Sequence, residues 1–287
     1  MTRIRSTDAS RINDQRGSGG GFQLPGMSGV GLPMGGGVLG IIVLLAALFL
    51  PKLLGAAAGG SQGASGSTNT PAACETELEQ IVCGVTNDVQ LYWSEALPQY
   101  FNTPYQDTST VWFGPGTVAT GCGQASSDTG PFYCPADNLV YIDLEFMQQL
   151  EEMLVGTATD LAEQYILAHE YGHHVQNLLG TNAQVQQAQQ QDPDRANQYS
   201  VAMELQADCF AGAWVGARDV LENEAELQEA IAAAEGVGDD RIQQQTQGRV
   251  DPESWTHGSA EQRRTWFLQG YNTQDPRQCD TFAEITG

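Results

Sequence analysis

His169 and His173 stand four residues apart, with Glu170 directly after the first, in a stretch from Asp160 to Leu179 that reads as a helix. Thr157 or Thr159 can cap its start, and Gly180 can stop it. Residues i and i+4 share one helix face, so both imidazoles can reach a single Zn2+ at roughly 2.0–2.1 Å. Glu170 lies about 100° further round the helix, beside such a metal rather than on it, where it can take a proton from a water. A catalytic zinc site normally has three protein ligands and one open position. Glu204 is the candidate third ligand. In Glu204-Leu205-Gln206-Ala207-Asp208 the two acids share one face of a second predicted helix, Ser200 to Ala217, with Met203, Ala207, Phe210 and Trp214 at core spacing. Glu204 would bind the metal, while Asp208 would accept the N–H of a ligating imidazole and fix its tautomer. Two solvated acids on an amphipathic helix are the alternative, but Phe210 and Trp214 argue for burial, and buried carboxylates need partners.

The chain has 287 residues, with 12 basic and 35 acidic side chains and a net charge of -23. After Lys52 the next basic residue is Arg195. Nucleic-acid affinity comes largely from Lys and Arg neutralising phosphates, so nucleic acid is excluded as a partner. Residues 1–36 read as a disordered cytoplasmic tail, polar, glycine-rich and holding Arg3, Arg5, Arg11 and Arg16. Residues 37–58 contain the long apolar run GVLGIIVLLAALFL and read as one transmembrane helix, provided that Lys52 snorkels. Arginines ahead of the run predict a cytoplasmic N-terminus and an exported catalytic domain, on a single-pass protein of the cell membrane held in the lipid bilayer by that helix. A signal peptide cleaved near Ala56-Ala57-Ala58 is the rival reading. Residues 59–73 form a Gly/Ser linker, and residues 74–287 the folded domain.

All six cysteines follow the apolar run, and an even count in an exported domain reads as disulfides. Sequence proximity favours Cys74 with Cys83 and Cys122 with Cys134, leaving Cys209 with Cys279. Thr86 can cap a helix carrying Val89, Tyr92, Trp93 and Leu97, with Pro98 signalling its end. Residues 110–113 and 130–134 are short β-prone runs, and Leu139 to Leu144 is the clearest strand, joined to its predecessor by the turn Pro135 to Asn138. Residues 182–198 read as a polar helix or loop, and residues 222–247 as a surface helical pair broken at Gly236-Val237-Gly238. Ser259 and Gln262 fit a capping box opening a helix with Trp266, Phe267 and Tyr271. The fold class is therefore α+β and mainly helical, with a small β-sheet or hairpin upstream of the histidine helix and one transmembrane helix ahead of it.

The runs HEYGHHVQ (169–176), ELQADCFAG (204–212), WTHGSAEQR (255–263) and CGQASSDTGPFYCPADNLVYIDL (122–144) resemble those of the predicted neutral zinc metallopeptidases of bacteria. The resemblance implies a zincin-like domain in which a glutamate supplies the third ligand, as in gluzincins. By position it makes His169, His173 and Glu204 the ligands of one Zn2+ ion, Glu170 the general base, and Asp208 the partner of His169. The expected activity is hydrolysis of a polypeptide substrate. Zinc lowers the pKa of a water to about 7 and polarises a carbonyl. Glu170 would pass the proton to the leaving amine. His257, next to Gly258 and a helix cap, is the candidate donor to the oxyanion, with Tyr171 and Tyr199 behind it. His174 should point away from the metal. The strand Leu139 to Leu144 is a candidate edge for aligning an extended peptide. The alternative function is a catalytically silent zinc- or peptide-binding envelope protein, against which Glu170 argues, since a purely structural site does not require it.

Overall fold

The structure is a computed structural model that describes residues 4–16, 74–155 and 160–286. Helix α1 (Glu77–Phe101) starts nine residues before the expected cap. Thr76 accepts from the Glu79 N–H while the Glu79 side chain accepts from the Thr76 N–H, so two orphan donors are satisfied there. Pro98 sits in the final turn instead of preceding it, and Asn102 in the left-handed region closes the helix. Strands β2 (Thr110–Phe113), β3 (Thr117–Thr120), β4 (Gly123–Ser126), β5 (Phe132–Cys134) and β6 (Leu139–Asp143) follow. β3 and β4 pair alone as a hairpin. β5 and β6 form the expected antiparallel hairpin, and β2 runs parallel to β6.

The helices come next: α2 (Leu144–Val155), α3 (Asp160–Leu178), α4 (Thr181–Gln191), α5 (Ala196–Arg218), α6 (Glu224–Gly236), α7 (Asp239–Gln247) and α8 (Ala260–Thr273). α3 and α5 lie at the centre, and their buried faces explain the apolar spacing read from the sequence. Trp93 of α1 meets Phe210 of α5 edge to face, and Asp88 of α1 receives both Trp214 Nε1 at 2.8 Å and the Arg218 guanidinium. α5 and α8 pack with almost no gap. A Cβ on Gly212 would stand 2.0 Å from the Phe267 carbonyl oxygen, and one on Gly270 would stand 1.9 Å from that of Cys209. The pair 222–247 is more than a surface appendage, because Leu227, Ala230, Ile231 and Ala234 of α6 are core residues. The three disulfides join the cysteines that proximity suggested: Cys74–Cys83, Cys122–Cys134 and Cys209–Cys279.

Three expectations are corrected. The helix expected to cross a membrane, 37–58, lies outside the described residues, and among the described residues no helix is long and apolar enough to do so. The described residues form a mostly helical domain with a small sheet, and among them the spanning helix of the expected class does not appear. Second, part of the presumed tail is folded. Ile12–Asp14 form strand β1, parallel to β2, and order the sheet β1-β2-β6-β5. Arg5 pairs with Glu77 and Asp160, Arg11 with Asp107, and Arg16 with Asp14 and Glu79 while lying over the Trp112 ring. Paired strands lie about 4.8 Å apart, whereas a hydrocarbon core is about 30 Å thick, so this segment and the domain are on one side of any bilayer. That overturns the single-pass topology with a cytoplasmic N-terminus, and with it the bilayer as a partner through one crossing helix. The arginines that resembled a topology signal serve an acidic body, and three disulfides suit an oxidising compartment. Third, β6 is flanked by β2 and β5 and so is an interior strand. The edge beside α3 is β5.

Candidate metal centre

α3 and α5 cross so that His169, His173 and Glu204 converge, each offering one donor atom, all within 4.8 Å of one another. His169 Nε2 lies 3.1 Å from Glu204 Oε2, and His173 Nε2 lies 3.5 Å from Glu204 Oε1. Donors around a tetrahedral zinc, each about 2.0–2.2 Å from the ion, stand roughly 3.3 Å apart, so this spacing fits the metal. The small residue facing the ligand helix matters here: a Cβ on Gly172 would stand 3.0 Å from Ala207 Cα, and this close approach lets the two helices present donors to one point.

Each imidazole is held from behind. His169 Nδ1–H donates to Asp208 Oδ1 at 2.8 Å, and His173 Nδ1–H donates to Gln176 Oε1 at 2.8 Å. Both Nε2 atoms are thereby turned toward Glu204, the arrangement by which proteins fix ligating histidines. Gln176 is anchored in turn through Nε2 to the Met203 carbonyl and Gln206 Oε1. Burial by itself would lower the His169 pKa, but carboxylates at both ring nitrogens, Asp208 foremost, push it up to about 10. Burial lowers His173. Burial would raise Glu204, but the His173 and His169 imidazoles, with His257, hold it far below the usual carboxylate range. Glu204 is thereby held ionised with an imidazole nitrogen on either side of it, a donor chemistry that suits a divalent metal.

Glu170 is buried beside this cluster. Burial pushes its carboxyl up to about 7, opposed by His169 and by a hydrogen bond from the Tyr133 backbone of β5. His257 is buried too, in the turn before α8, and Asp239 at the start of α7 organises that turn. Asp239 Oδ2 accepts the backbone N–H groups of Thr256, His257 and Gly258 at 2.8, 2.6 and 3.0 Å, and Oδ1 accepts His257 Nδ1–H at 3.1 Å. Gly258 at φ +87° permits the turn.

The remaining candidates lie elsewhere. The Tyr171 hydroxyl bonds Thr110 and Gln90 in the core and does not face the donors. Tyr199 is buried, with the Arg195 guanidinium 6.0 Å from its ring centre. His174 does leave the metal face, but into the interior: Nε2–H donates to the Gln106 carbonyl and Nδ1 accepts from Tyr133. Gln176, Asp239, Tyr165 and Arg263 were missed as members of this region. Tyr165 donates to Asp208 at 2.5 Å, and Arg263 lies fully buried against the same carboxylate. Tyr165 and Gln176 could have been found at i−4 from His169 and i+3 from His173. Nothing local marks Asp239, and only helical register with Ala260, Phe267 and Gly270 marks Arg263.

Two imidazoles from one helix and a carboxylate from another, all facing one point, define a protein with a buried site suited to a divalent metal. The chain belongs to the family described as "Putative neutral zinc metallopeptidase", whose model matches residues 1–282. It is 42% identical over 285 residues to the uncharacterized protein YpfJ of Escherichia coli strain K12, covering 96% of this chain and 97% of that one. It is 46% identical over 214 residues, 70% of each chain, to the uncharacterized protein Rv2575 of Mycobacterium tuberculosis strain H37Rv. No solved structure matches it.

Proposed function

We propose that this chain is a zinc-dependent peptidase in which His169, His173 and Glu204 hold one Zn2+ and Glu170 is the general base. The observation that carries this reading is the placement of a buried, otherwise unnecessary carboxylate, Glu170, beside three converging donors. When bound, zinc supplies a Lewis acid for a carbonyl and makes a water acidic near neutral pH. Glu170 takes the proton of the attacking water and delivers it to the amine as the C–N bond breaks, leaving a carboxylate and a free amine. Asp239 fixes the His257 ring through Nδ1, which supports this side chain as the donor for the oxyanion. An extended peptide lying along β5 would pass Glu170, because the Tyr133 N–H of that strand already touches its carboxylate.

The test compares the zinc-loaded full chain with Glu170→Gln on a peptide library, alongside metal analysis. Wild type should cleave, and the variant should keep its zinc while losing roughly 10²–10⁴-fold in turnover. Equal turnover would remove Glu170 from the mechanism. A wild type that binds zinc and cleaves nothing would favour a silent binding module.

A further inference from the structure

Asp208 and Glu204 stand one turn apart on the same face of α5, both buried beside the imidazoles, yet only one of them is positioned as a ligand. The difference is Arg263. Its Nε donates to Asp208 Oδ2 at 2.8 Å and its Nη2 to Asp208 Oδ1 at 2.9 Å, a two-pronged fork. Nη2 also meets the Tyr165 hydroxyl at 3.1 Å, and Nη1 reaches the Val237 carbonyl at 3.3 Å. Toward Glu204 the same guanidinium comes no closer than 4.0 Å. With relative exposure of 3%, Arg263 cannot reach a substrate from this position.

We infer that Arg263 is the positioning residue of the metal site: it neutralises and immobilises Asp208, so that Asp208 orients His169 without acting as a ligand and Glu204 alone supplies the carboxylate. The inference rests on the metal reading above but not on peptidase activity. Asp208 Oδ1 accepts from His169 Nδ1–H, Tyr165 O–H and Arg263 together. Oδ1 so filled has no lone pair left to aim at a cation, and Oδ2 is held by Arg263 Nε, so the carboxylate cannot rotate away from His169. The charges also balance. Glu170, Glu204 and Asp208 carry three negative charges when ionised, and Arg263 with one dication carries three positive ones. Arginine is required for this geometry. Lysine brings the same charge as a point, without the planar fork that grips both oxygens. The charge comes from α8, and the packing of Gly212 and Gly270 holds α8 against α5, which fixes the distance from guanidinium to carboxylate.

The test measures zinc dissociation constants of the full chain by chelator competition at one pH, with the visible absorption of the cobalt-substituted protein as a second readout. Arg263→Gln should weaken zinc binding 10–100-fold and alter the cobalt spectrum, the range found when groups behind metal ligands are lost. Arg263→Lys should recover only a minor part. Combined with Asp208→Asn, Arg263→Gln should add little, because both changes break the same link. A folded Arg263→Gln protein that binds zinc within threefold of wild type would overturn the inference, as would full additivity in the double variant. Should Arg263→Gln fail to fold, Arg263→Lys with wild-type affinity and spectrum would overturn it equally. A wild-type chain that binds no zinc would instead remove the metal reading itself.

Discussion

The arginines of residues 4–16 and Arg263 do the same thing on paper, pairing with carboxylates, but in opposite surroundings. Arg5, Arg11 and Arg16 keep about a third of their side-chain surface in water, and of their partners Glu77 and Asp107 are exposed while only Glu79 is buried. Pairs of that kind contribute roughly 0–1 kcal/mol each, since solvent screens them and ordering long side chains opposes them. Arg263 and Asp208 are both withdrawn from water, where neither charge is tolerable alone. The N-terminal segment is held by many small terms: a parallel strand, apolar contacts of Ile4, Ala9 and Ile12, and close backbone approach at Gly84, where a Cβ would stand 2.9 Å from Arg5 Cα. The donor cluster depends on a few terms that fail together.

The comparison breaks most readily at the buried end. Asp208→Ala should cost about 3–5 kcal/mol in denaturant unfolding, because it strands a buried guanidinium. Finding less than 1 kcal/mol would mean that water reaches Arg263. Gly270→Ala should cost a further distinct amount, about 1–3 kcal/mol, by forcing α8 off α5, and should weaken zinc binding as well if the guanidinium moves with its helix. Between the two regions lies Glu163, buried near Asp160, Glu77 and Arg5. Burial, then the charges of Asp160 and Glu77, raise its pKa to about 8 against the opposing pull of Arg5. Below about pH 4.5 this carboxyl is protonated both folded and unfolded. As pH rises toward 8 only the unfolded chain ionises, so stability falls, and above 8 the loss is complete. Melting scans across this window should show that slope in wild type, and Glu163→Gln should flatten it. Deleting residues 1–16 should lower the melting temperature by several degrees and expose the β2 edge to association, visible by light scattering, while zinc stoichiometry stays at one. The smallest effect belongs to Arg11→Ala, within about 1 kcal/mol and shrinking further in high salt.

How much of this was legible follows the same division. The two central helices carry local signals, a four-residue repeat of donors and an apolar stripe, so α3 and α5 were readable, as was the convergence of His169, His173 and Glu204. The capping box at Ser259 was readable because both partners lie within one turn. What escaped is what distance in sequence conceals. β1 is three residues whose partner, Thr110, lies far along the chain, and nothing in a polar, glycine-rich stretch announces parallel pairing. Arg263 keeps register with Ala260, Phe267 and Gly270, the buried stripe of α8, but a guanidinium on such a stripe does not say which distant carboxylate it meets. Asp239 belonged to an acidic stretch in which one carboxylate looks like any other. The early start of α1 is a different failure, since Thr76 and Glu79 carry a capping signal as clear as that at Ser259.

The bond between Cys209 and Cys279 closes a loop of 70 residues that begins one position after Asp208 and contains Asp239, His257 and Arg263. Before the chain folds, oxidation therefore ties every helper from the C-terminal third to the helix that bears Glu204, reducing the entropy of the unfolded chain by roughly 4 kcal/mol at 25 °C. The covalent tie keeps those supports within reach of α5 even when α8 loosens from it. A chain whose thiols stay reduced would depend on the packing of α8 against α5 alone to keep Asp239, His257 and Arg263 in place.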